Sequence, residues 1–214
     1  MNKAVVFDLD GTLIDSIGGI VNAVNETRKF YGLPPQDDEL IKSFVGNGVR
    51  KLMERSLATD VSSVPLDDAA KTMIQFYTDD PVAKTTLYDG VKETLAALKN
   101  DNWLLAVVSN KTQMISEKIL CELDIRNFFT ENIGGDGNFP LKPAPDAMLY
   151  LLERYEISRT ECFVVGDNYT DLDFAASTGI KSIFCTWGFG TVGTNPPTFT
   201  ADRFTEIFKI VSKN

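Results

Sequence analysis

Apolar residues in this chain follow two alternating rhythms. Short, nearly uninterrupted apolar runs at 3–8, 104–109, 162–167 and 181–187 have the length and composition of strands buried on both faces. Between them, apolar positions recur every three to four residues, the spacing of one helix face. Ile17, Ile20, Val21 and Val24 mark a helix over 16–31. Helices are also predicted at 90–100, 112–123, 144–155, 171–178 and 203–212, with a further short strand near 128–133. Strands alternating with helices predict a parallel sheet covered on both faces, a Rossmann-like, doubly wound α/β fold.

One stretch breaks this rhythm. From 15 to 84 the pattern is helical only, with segments at 37–57 (Ile41, Phe44, Val45, Val49, Leu52, Met53) and 66–79 (Leu66, Ala69, Met73, Phe76, Tyr77). Pro34-Pro35 and Pro65 punctuate it. The expected organisation is an α/β core of 1–14 and 85–214, with 15–84 inserted after the first strand as a helical cap domain.

Polar residues then concentrate at strand ends. The first strand runs into Asp8 and Asp10, followed by Gly11-Thr12. Residues i and i+2 of a strand share a face, so the two acids address one spot. The strand at 104–109 ends at Ser109-Asn110-Lys111, and the one at 162–167 ends at Gly166-Asp167, with Asp171 in the next helix. Lys142 precedes Pro143-Ala144-Pro145. Parallel strands end on one side of the sheet, so these groups converge at the edge where open α/β sheets bind ligands. Four carboxylates, a hydroxyl, backbone N–H groups and a lysine suit a phosphate held with a divalent cation.

Composition narrows the chemistry. Among 214 residues there is no histidine, which excludes Ser-His and Cys-His nucleophiles and histidine-bound metals. The net charge of −9 argues against a nucleic-acid partner. No apolar run reaches the roughly 18 residues of a membrane span, and no secretory leader pattern is visible, so a cytoplasmic location is expected. Cys121, Cys162 and Cys185 are expected to be reduced, buried thiols.

The four strand-end motifs, in this order, resemble those of the haloacid dehalogenase superfamily. The resemblance covers essentially the whole chain. It implies that Asp8 is a nucleophile forming an aspartyl-phosphate and that Asp10 is the acid and then the base. Ser109 and Asn110 would hold phosphoryl oxygens, and Lys142 would neutralise charge beside Asp8. Mg2+ would be bound by Asp8, the Asp10 backbone carbonyl and Asp167, with Asp171 close by. Within the superfamily the chain is most similar to the phosphoglycolate phosphatases, through Phe44-Val45-Gly46-Asn47-Gly48, Leu52-Met53-Glu54-Arg55, Ser109-Asn110-Lys111 and Ile133-Gly134-Gly135-Asp136. That likeness implies a small phosphorylated metabolite such as 2-phosphoglycolate. Lys111, Gly46, Asn47 and Arg50 are then candidate substrate contacts.

Two other readings use the same residue types. A receiver-like signalling module also combines acids, a strand-end hydroxyl and a lysine, and a phosphosugar mutase shares the superfamily's motifs. The oligomeric state is open between monomer and homodimer. Gly188-Phe189-Gly190-Thr191-Val192-Gly193 matches a dinucleotide-binding spacing, but Pro196-Pro197 follows where a helix would have to start. A loop that binds no nucleotide is expected there.

Overall fold

The computed structural model describes residues 2–58, 64–79 and 81–214. Strand β1 (Asn2–Phe7) runs through the middle of a six-stranded, all-parallel sheet. After β1 come β2 (Ile14–Asp15), then helices α1 (Ile17–Phe30), α2 (Asp38–Lys42), α3 (Val49–Ser56) and α4 (Leu66–Asp79), then β3 (Thr86–Leu87). Alternation resumes with α5 (Val91–Asn100), β4 (Leu104–Val108), α6 (Gln113–Glu122) and β5 (Glu131–Ile133). The chain closes with α7 (Asp146–Arg154), β6 (Ile157–Gly166), α8 (Tyr169–Thr178), β7 (Lys181–Cys185), β8 (Phe199–Ala201) and α9 (Glu206–Val211).

The sheet order is β5-β4-β1-β6-β7-β8. After β1 the chain builds outward through β4 and β5; after β6 it builds the other way through β7 and β8. The order therefore reverses between β1 and β6, and a crevice opens there at the strands' carboxyl ends. Register places Phe7 of β1 opposite Val107 and Val165, so the residues that follow all three strands emerge together.

Both faces of β1 are buried, which explains its unbroken apolar run. Ala4 and Val6 pack with Val108, Met148, Leu151 and Phe174 on one face. Val5 and Phe7 belong to a larger cluster on the other face, which continues through Ile20 and Val24 of α1 to Leu52 and Met53 of α3 and Met73 of α4. Burying side chains of this size stabilises by about 1.5–3 kcal/mol each.

Several boundaries differ from the pattern-based expectation. The segment 37–57 is two helices, because Gly46 and Gly48 take φ of 116° and 81° and turn the chain between α2 and α3. The strands β2, β3 and β8 are too short to leave a periodic signal. Cys121 is exposed, unlike the buried Cys162 and Cys185, because it lies on the solvent side of α6.

Candidate active site

The loops after β1 and β6 bring three acids together. Single carboxylate oxygens of Asp8, Asp167 and Asp171 lie within 4.8 Å of one another. Lys142 reaches in from the segment before α7, with its Nζ 2.8 Å from Asp8 Oδ1 and 2.7 Å from Asp171 Oδ1. Burial pulls the Lys142 ammonium down, but the ion pairs with Asp171 and Asp8 outweigh it and hold it above the ordinary lysine range. Asp171 is also the third residue of α8, where its Oδ2 accepts the Asn168 N–H at 3.1 Å in a capping box. Both of its oxygens are thus engaged.

Asp167 differs, because no lysine among the described residues meets it. Its Oδ2 accepts the backbone N–H groups of Phe189 (2.9 Å) and Gly190 (2.8 Å), and Thr12 donates to Oδ1 at 3.4 Å. Burial, reinforced by the charges of Asp171 and Asp8, pushes its carboxyl up to about 8, against the pull of the two N–H bonds. The loop at 188–190 must come very close to do this. A Cβ on Gly188 would lie 2.2 Å from the Asp167 side chain. The glycine-rich stretch that resembles a nucleotide motif is therefore a backbone clamp on a carboxylate.

Asp10 stands apart from the three clustered acids. Lys111 grips both its oxygens, at 2.8 and 2.9 Å, and Ser16 donates to Oδ1 at 2.5 Å. Ser16 is the N-cap residue of α1 and makes no side-chain cap bond there; its hydroxyl serves Asp10 instead.

The chain after β4 completes the floor. Ser109 Oγ accepts the Lys111 N–H at 3.2 Å, and the N-cap of α6 is Thr112 rather than Ser109. Asn110 is a strut between elements. Its Oδ1 accepts the Lys142 N–H at 2.8 Å, and its Nδ2 donates to the carbonyls of Lys142 (3.1 Å) and Gly46 (3.0 Å).

These groups surround a cavity of about 80 Å3 between the sheet edge and helices α1, α3 and α4. Asp8, Asp10, Asp167, Ser109, Asn110, Lys111 and Lys142 line it, and so does Gly46 from the turn between α2 and α3. Asp171 is not a lining residue but meets Lys142 in the acid cluster, and two further candidates lie elsewhere. Arg50 points outward to an exposed ion pair with Asp67 (2.9 Å), since helix geometry puts it on the solvent side of α3. Asn47 spends its amide on the Tyr169 hydroxyl at 2.8 Å and is not among the lining residues. In the sequence Ser16 and Tyr77 read only as residues of predicted helices, Thr12 as part of the motif after the first strand and 188–193 as a nucleotide-like loop, so none was marked as a partner of Asp10, Asp167 or Lys111.

Known proteins resemble this chain along most of its length. The profile of haloacid dehalogenase-like hydrolases matches residues 5–185. The chain is similar to the phosphoglycolate phosphatase of Aquifex aeolicus, at 32% identity over 99% of this chain and 98% of that one. Similarity to the phosphoglycolate phosphatase of Vibrio vulnificus YJ016 is also 32%, over 98% and 96%. The crystal structure of a predicted phosphoglycolate phosphatase from Haemophilus somnus 129pt superposes with a TM-score of 0.92 at 29% identity, covering 98% of this chain and 97% of that one.

Proposed function

This chain belongs to the haloacid dehalogenase-like hydrolases, and from that premise we propose a Mg2+-dependent phosphomonoester hydrolase that works through an aspartyl-phosphate on Asp8. The chain is a phosphatase, as its relatives along the full length are. The observation that carries the mechanism is the cluster of Asp8, Asp167 and Asp171 with Lys142 bridging two of them.

The residues fit a cation. Lys142 serves Asp8 and Asp171 but leaves Asp167 buried among like charges, its carboxyl raised to about 8. All the donors are oxygens, the set Mg2+ prefers. Asp8, Asp167 and the Asp10 backbone carbonyl would hold the ion, with Asp171 beside them. Bound there, Mg2+ supplies charge neutralisation and polarises a phosphoryl oxygen.

The chain's own groups divide the remaining work. Lys142 aligns Asp8 through Oδ1, leaving the other oxygen to attack phosphorus as the ester bond breaks. Asp10 passes a proton to the departing alkoxide. It then takes one from the water that attacks the aspartyl-phosphate, which frees inorganic phosphate and restores Asp8. Ser109 and the Asn110 N–H orient phosphoryl oxygens. Residues 15–84 act as a cap whose Gly46 carbonyl is tied to Asn110, and the cap limits water during the first half-reaction.

The names of the relatives support 2-phosphoglycolate as substrate. A carboxylate paired with a lysine gains about 1.5–3 kcal/mol, roughly 10- to 150-fold in kcat/KM over a neutral ester. The test is phosphate release from 2-phosphoglycolate, ethyl phosphate and glucose 1-phosphate at matched Mg2+. Preference for the carboxylate ester is expected. A sugar phosphate that is isomerised without net phosphate release would make the chain a mutase.

A further inference from the structure

Resting on the phosphatase reading, we propose that Tyr77 is a specificity-determining residue: its hydroxyl, with the Lys111 ammonium lying over its ring, binds an anionic group on the leaving alcohol. The cavity's side toward the helices is mostly apolar, lined by Ile20, Val45, Leu52, Met73 and Ile74. Two lining hydroxyls are exceptions. Tyr77 and Thr112 are 3% and 8% exposed, and neither hydroxyl makes a well-formed hydrogen bond among the described residues, although Lys111 and Thr85 lie close to the Tyr77 hydroxyl. Buried donors left unmet are uncommon and costly, so a pair of them in one cavity marks where a ligand supplies acceptors.

Lys111 gives the position its charge. Its Nζ lies 4.4 Å from the centre of the Tyr77 ring. An ammonium carries three N–H donors; this one donates to both oxygens of Asp10 and lies close to the Tyr77 hydroxyl. Burial raises the Tyr77 phenol well above its ordinary value, so it meets a ligand as a neutral O–H donor. A cationic and a neutral donor side by side suit a carboxylate, which accepts several bonds at once. Gly19 makes room for the ring: a Cβ there would lie 3.2 Å from Tyr77 Cε2.

The same geometry limits the substrate's length. The leaving oxygen must reach Asp10 while the anion meets Lys111, and those two side chains touch at 2.8 Å. The anion therefore sits one or two carbons from the ester oxygen. A polyhydroxylated leaving group would instead press its hydroxyls against the apolar wall and leave them unmet.

The test uses the full chain and the variant Tyr77→Phe, which keeps the ring and removes only the hydroxyl. kcat/KM is measured for 2-phosphoglycolate and for ethyl phosphate at matched Mg2+, alongside thermal melting. The wild type should prefer the carboxylate ester. In the variant the ratio of the two kcat/KM values should fall about tenfold or more, the effect of one hydrogen bond to a charged group, and chiefly through KM. The melting temperature should hold or rise, since the deleted atom makes no well-formed hydrogen bond among the described residues. A wild-type ratio near one, an unchanged ratio in the variant, or a melting temperature lowered by several degrees overturns the proposal and leaves the phosphatase reading standing. Failure of the wild type to release phosphate from either ester overturns both.

Discussion

Asp8 and Asp10 lie two residues apart and receive different partners, and that difference assigns their work. Asp8 shares Lys142 with Asp171, whereas Asp10 is held by Lys111 and Ser16. Asp8→Asn should abolish both turnover and the phosphoenzyme, read by steady-state phosphate release and acid-quench labelling. Asp10→Asn should keep metal binding and lose 10²–10⁴-fold in kcat, the usual worth of positioned proton transfer. Substantial turnover by Asp8→Asn would make water the nucleophile. Gly188 is a third informative position. Adding a methyl would displace Asp167, so Gly188→Ala should weaken Mg2+ binding, measured by titration calorimetry, far more than it lowers secondary structure. The acids were legible in the sequence because strand alternation and parallel topology alone send them to one edge. Ser16 and Tyr77 were not, because a helix-cap serine and a stripe aromatic look the same whether or not they face a site.

The central strands and the helices of the α/β alternation were legible, down to β5 with three residues, whereas β2, β3 and β8 and the break between α2 and α3 were not. Periodicity needs several repeats before it stands out, and β2, β3 and β8 offer two or three residues each. The split between α2 and α3 comes instead from backbone conformation. Gly46 occupies φ of 116°, and a Cβ there would lie 2.8 Å from Asn168 Nδ2. Its carbonyl also accepts from Asn110, so this turn joins the helical segment to the floor of the cavity. Gly46→Ala should therefore cost kcat/KM on a small substrate much more than on p-nitrophenyl phosphate, whose good leaving group depends less on closure. Equal loss on both, with a lowered melting temperature, would mark the turn as a folding element. Arg50 shows the limit of reading a motif by proximity. It is two residues past Gly48, yet one helical step carries its charge to the outer surface.

For the whole molecule, charge and metal are linked. The chain carries −9, and its crevice gathers three acids, two of them buried, with Lys142 paired to Asp8 and Asp171 only. In metal-free protein Asp167 keeps its proton up to about pH 8, where an unfolded chain would have lost it near the ordinary value of 3.8. The native state then binds more protons than the unfolded one between those values, so stability falls as pH rises through that interval. Mg2+ displaces the proton, and its stabilising effect should grow from pH 5 to pH 9. Melting curves with Mg2+ or EDTA across that range test this, and an increment that does not change with pH would count against Asp167 as a ligand.

The short ladder of β2 with β3 has a consequence for engineering. Ile14 pairs with Leu87 and Asp15 with Thr86, so the chain before α1 and the chain after α4 run side by side over two rungs. The intervening helices are expected to behave as a cassette with two adjacent splice points, so that exchanging them should leave the strand register around Asp8 and Asp167 undisturbed. A donor segment spliced between these rungs must match the apolar face that joins α1 and α3 to β1. Chimaeras that meet this condition should retain the phosphate chemistry of the recipient and adopt the leaving-group preference of the donor.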